Sequence, residues 1–176
     1  MDDKIPHWQF SGFGFTALLG TTLHFLYDLC GKPIYLAPFS AVNESTWEHM
    51  KILFFPLIIF AIIESKIFKE RVSFWTTKLK GTIIGIVLIP ILFYTYNGAF
   101  GKSPDWINIS IFFIAAAVTF IYETNLLKRN SNSTISTKTT IIILCIIAAT
   151  FILLTFIPPQ LPLFQDPISG SFGLKA

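Results

Sequence analysis

Long apolar runs alternate with short polar stretches along the whole chain. Five runs, over 10–29, 47–63, 79–97, 106–122 and 139–157, approach the length of about 20 residues that a membrane-crossing helix needs. Gly31, Pro33 and Pro38 break the chain after the first run, and Pro158-Pro159 stop the fifth. Pro56 and Pro90 fall inside the second and third runs and predict kinks. Gly12, Gly14 and Gly20 in the first run, and Gly81 and Gly85 in the third, offer small surfaces for close helix approach. The pattern predicts an all-α integral membrane bundle of about five transmembrane helices. It forms one domain over 1–176, with a tail over 158–176. No internal repeat of the inverted-transporter kind is present.

Composition supports this reading. Hydrophobic residues make up 53% of the 176 residues and charged residues 13%, about half the share of a soluble domain. The first run has a weak basic flank, Lys4 beside Asp2 and Asp3, and reads as a retained helix rather than a cleaved signal. The stretch 64–80 mixes Lys66, Lys69, Arg71, Lys78 and Lys80 with Phe68, Phe74 and Trp75, the pattern of an interfacial amphipathic segment. Together with Lys4, Lys128, Arg129 and Lys138, it places nine cations on one side. Lys32, Lys51, Lys102 and Lys175 make four on the other. The positive-inside rule then sets the N-terminus inside and the C-terminus outside, in a cell membrane. The basic residues do not cluster as a nucleic-acid site requires, so that partner is set aside. No nucleotide cofactor is expected. Cys30 and Cys145 fall at different depths and read as small packing residues rather than a disulfide.

Candidate chemistry concentrates in Asn43-Glu44-Ser45-Thr46-Trp47-Glu48-His49-Met50-Lys51, at the mouth of the second apolar run. Polar groups placed there are costly and mark function by default. His24 and Asp28 share a helix face four residues apart; Glu44 and Glu48 are likewise four apart, and His49 follows. On the predicted topology His24, Asp28, Glu44, Glu48, His49 and the tail's Asp166 reach the outer side. Two imidazoles with several carboxylates suit a divalent metal, zinc, manganese or iron. His24, Asp28, Glu44 and His49 are the expected metal ligands. Glu48 and Asp166 are the expected catalytic carboxylates, with Glu48 as general base. The spacing matches neither His-Glu-x-x-His nor Cys-x-x-Cys.

A structural reading stands beside the chemical one. Ser45-Thr46-Trp47-Glu48 fits a capping box that opens a helix. Asp28 can pair with Lys32, and His24 needs only one hydrogen bond. His7, Glu64 and Glu123 read as interface or loop residues. Asn43-Glu44-Ser45 and Asn132-Ser133-Thr134 match the glycosylation triplet, which recurs by chance. The tail, with turn residues Gln165-Asp166-Pro167, Gly170 and Gly173 among Leu161, Leu163, Phe164 and Phe172, is expected to fold back as a lid.

Leu23-His24-Phe25-Leu26-Tyr27-Asp28, the Asn43–Lys51 motif, and Pro158-Pro159 through Pro162-Leu163-Phe164-Gln165-Asp166-Pro167 to Gly173 resemble a bacterial family of small multi-pass membrane proteins classed as a domain of unknown function. The resemblance implies a bacterial plasma-membrane protein and brings no activity or site residue. The expected function is a metal-dependent membrane hydrolase or lipid-modifying enzyme, acting on a lipid or small-solute ligand in the lipid bilayer. The alternatives are an ion or small-solute transport or binding protein, and an accessory membrane subunit that serves a partner subunit through a structural polar network.

Overall fold

The computed structural model describes residues 2–68, 71, 73–129 and 135–174. Lys69, Glu70, the Asn132-Ser133-Thr134 triplet and Lys175 fall outside them. Five helices follow one another: α1 (Ile5–Leu29), α2 (Thr46–Ser65), α3 (Phe74–Phe100), α4 (Asp105–Arg129) and α5 (Thr137–Phe156). There is no β-strand among the described residues, only an isolated bridge between Gln165 and Phe172 in the tail. The helices α2 to α5 are long and apolar enough to cross a membrane. α1 matches them in length, but its glycines, threonines and His24 leave it less apolar.

α2 is the central element. It packs against all four other helices, and 72% of its apolar window is buried. Its start is set locally: Ser45 is the N-cap, and its hydroxyl accepts from the Glu48 amide at 3.4 Å. Glu48 completes only half of the expected box, because its carboxylate accepts from the Val42 amide instead of reaching Ser45. Pro56 and Pro90 both lie inside continuous helices. The close approach expected at the third helix occurs against α4. A Cβ on Gly85 would collide with Thr119 Oγ1, and one on Gly81 with the Glu123 side chain. Apolar side chains such as Ile91, Ile121, Ile146 and Leu153 stay exposed along α3 to α5, the surface a bilayer would cover.

Several expectations are corrected. α3 begins at Phe74 rather than 79, and Phe68 and Phe74 are buried with Ile5 and Leu127 instead of lying along an interface. Lys51 and Lys78 are buried in the bundle, so neither is a loop cation. Removing one from each side leaves a charge split of eight to three, the same direction as before. Glu64 and Glu123, read as interface or loop residues, are 0% and 1% exposed. Cys30 and Cys145 are free, as expected, yet both are exposed rather than packed.

Candidate metal centre

The site is assembled by a loop stapled onto the last turns of α1. The Ser40 hydroxyl inserts into the helical ladder, donating to the Leu23 carbonyl and accepting from the Tyr27 amide. The Ala41 amide adds a bond to the same carbonyl at 3.1 Å. These contacts bring the loop to the turn that carries His24. Asn43 Oδ1 then accepts from the Ser45 amide at 2.9 Å, a local turn that ends at the N-cap of α2. Glu44 projects from that turn and His49 from the first turn of α2.

The three side chains converge. Glu44 Oε2 lies 3.4 Å from His24 Nε2 and 3.7 Å from His49 Nε2. The imidazole rings are 5.2 Å apart, and one ligand atom from each residue lies within 4.8 Å of the others. Tetrahedral zinc with bonds near 2.1 Å separates its ligand atoms by about 3.4 Å, so little closure is needed. His49 Nδ1 lies 2.9 Å from the Ser45 carbonyl, which can only accept. A neutral His49 therefore carries its proton on Nδ1 and its lone pair on Nε2, facing Glu44. Two lone-pair atoms at 3.7 Å call for a proton or a metal cation between them. His24 has no such support, since its Nδ1 is buried without a partner. The hydrogen bond from His24 holds the Glu44 carboxyl below the usual carboxylate range, against an opposing effect of partial burial.

Two hollows flank the cluster. A cavity of about 20 Å³, lined by Glu44, Thr46, His49 and Asn108 among others, has room for one water. On the other side opens a cleft of about 400 Å³, where His24, Glu44, His49, Asp105 and Asn108 face Phe25, Phe113 and other apolar side chains. Asn108 lines both. Its Oδ1 accepts from Ser103 Oγ at 2.8 Å.

The other residues expected here lie elsewhere. Asp28 is exposed and pairs with Lys32 at 3.5 Å. Glu48 faces away, 2.5 Å from Lys51 Nζ, and also accepts from Thr155 Oγ1. Asp166 shapes its own turn, accepting from the Ile168 amide and Ser169 Oγ, although its charge still reaches Glu44. The tail does fold back. Phe164 stacks on Trp47 with centroids 4.6 Å apart, Asn43 Nδ2 donates to the Gly173 carbonyl at 2.9 Å, and Ile168 lines the cleft. Asp105 and Asn108 were missed by sequence reasoning. Their signal was an amide one helical turn into an apolar run, three residues after an acid.

The model of a family of unknown function, DUF6512, matches residues 2–174. The chain belongs to the DUF6512 family. The match spans all five helices and the tail, so this DUF6512 protein carries its His/Glu cluster inside the family's own boundaries. No curated protein and no solved structure matches the chain.

Proposed function

We propose that this DUF6512 protein is a metal-dependent membrane hydrolase or lipid-modifying enzyme whose His24, Glu44 and His49 hold one zinc, manganese or iron ion. The reading places it in the cell membrane with the N-terminus inside, as the charge split favours, and in a bacterium, as the motif resemblance implies. One observation carries it. His49 Nε2, its tautomer set by the Ser45 carbonyl, points its lone pair at an ionisable Glu44 oxygen with His24 alongside.

A divalent metal bound there supplies Lewis acidity toward a carbonyl or phosphoryl oxygen and makes a neighbouring water a better nucleophile. The chain's own groups do the rest. The small cavity beside Glu44 and His49 stores a water. The apolar wall of the cleft holds an acyl or prenyl chain, and Asn108 donates to the polar head. Asp105 lines that cleft whereas Glu48 is held by Lys51, so the proton-accepting role falls to Asp105 in this reading.

Metal content of the detergent-purified protein, measured by mass spectrometry, tests the reading. The wild type should carry close to one ion per chain, and His24→Ala and His49→Ala should each lose it. A metal-free wild type, with both variants still folded, would overturn it. The cluster would then be a hydrogen-bonded network around Glu44.

A further inference from the structure

A second polar cluster lies at the other end of α2, built by four helices. Lys78 Nζ of α3 is 2.5 Å from Glu123 Oε2 of α4 and 2.5 Å from Glu64 Oε2 of α2. The two carboxylate oxygens are therefore no more than twice that distance apart. Gln9 of α1 closes the group, its Nε2 donating to Glu64 Oε1 at 2.5 Å. All four side chains are buried, and the rings of Phe74 and Phe120 stand 5.6 and 5.7 Å from the ammonium. Gly81 leaves the space that Glu123 occupies.

Charge and hydrogen bonding are both out of balance here. Two carboxylates share one ammonium, a net charge of −1 if both are ionised. A buried charge without a counter-ion is the costliest state a bundle can hold. The charged groups acting on Glu123 are Lys78 and Glu64. Gln9 Oε1, on a side chain 1% exposed, accepts no hydrogen bond. Glu64 Oε2 meets the same Lys78 ammonium at 2.5 Å, so one cation serves both carboxylates. One added proton corrects the charge, neutralising the group.

We propose that Glu64, Lys78, Glu123 and Gln9 form a proton-binding site, which holds one proton taken from water at that end of the bundle. The proton belongs to the pair of carboxylates jointly. The site is separate from the His/Glu cluster and does not depend on a metal there. By contrast, Glu48 and Lys51 pair one to one and need no proton.

Infrared spectroscopy of the full chain in lipid nanodiscs, over a pH series, tests this. The wild type should show the carbonyl band of one protonated carboxyl per chain at neutral pH, lost on alkalinisation. Glu64→Gln or Glu123→Gln should abolish the band, and Glu48→Gln should leave it. Lys78→Met, which removes the ammonium, should double it. A wild type without the band at neutral pH overturns the proposal, and so does a band that survives in both glutamine variants. A band that falls when sodium replaces potassium at constant pH also overturns it, since a metal ion would then be the ligand. If the glutamine variants do not fold, the wild-type titration alone decides.

Discussion

Lys51→Met separates the two roles open to Glu48. Lys51 is fully buried, with Nζ 2.5 Å from Glu48 Oε2, 2.7 Å from the Ala37 carbonyl and 2.9 Å from Thr155 Oγ1. It therefore ties the ligand-bearing loop, α2 and α5 together. Methionine fills the space but leaves Glu48 as a buried carboxylate with only the Val42 amide and Thr155 as donors. Breaking one side of a buried pair costs about 3–5 kcal/mol. For a chain of this length that is roughly 6–20 °C in Tm, at about 2–4 °C per kcal/mol. Glu48→Gln in the same chain removes the stranded charge, so the double variant should be no less stable than the worse single one. Thermal unfolding in detergent, followed by tryptophan fluorescence, reads these shifts. Metal content should be unchanged in Glu48→Gln, because that carboxylate faces Lys51 and not the imidazoles. A Lys51→Met shift below about 3 °C, or effects that simply add in the double variant, would refute the pairing as an anchor.

Two further outcomes concern Glu44 and the α3–α4 contact. Glu44 is held below its ordinary value of 4.5 by His24, so its contribution to stability is complete above that value and lost as pH falls through the lowered one. The Tm gap between wild type and Glu44→Gln should therefore hold at neutral pH and close in strong acid; a gap that widens on acidification would contradict the sign. Gly85→Ala drives a Cβ into Thr119 Oγ1 and should destabilise the α3–α4 contact by about 1–3 kcal/mol. Thr119→Ala in the same chain should restore most of that loss, and an unrecovered melting temperature would place the strain elsewhere.

Local chemistry was readable in the sequence wherever it depended on near neighbours. Ser45 announced the start of α2, Pro158-Pro159 the end of α5, and Gly81 with Gly85 a close contact. The meeting of His24, Glu44 and His49 was readable only in part. Their shared side followed from the alternation of spans, but the staple from Ser40 to Leu23, which brings Glu44 to His24, rests on a tertiary bond. Lys78 shows the limit most clearly. A lysine near the end of an apolar run is ordinarily a loop cation, and its partners lie 14 and 45 residues away. One signal was nonetheless present, because Lys78, Gly81 and Gly85 fall at i, i+3 and i+7 and so share the face that packs on α4. A cation on a small-residue face points inward, toward a carboxylate.

The bond from Asn43 to the Gly173 carbonyl spans 130 residues of chain. It fastens the loop that carries Glu44 to a segment made after all five helices. Helices α1 and α2 are made long before that, so the loop between them must wait with one side unfastened. The loop therefore acquires its finished geometry only after α5 is in place and the tail has turned back. On the proposed function, an ion captured earlier would meet an open, exchangeable set of side chains, and the returning tail would serve as the clasp that slows its exchange.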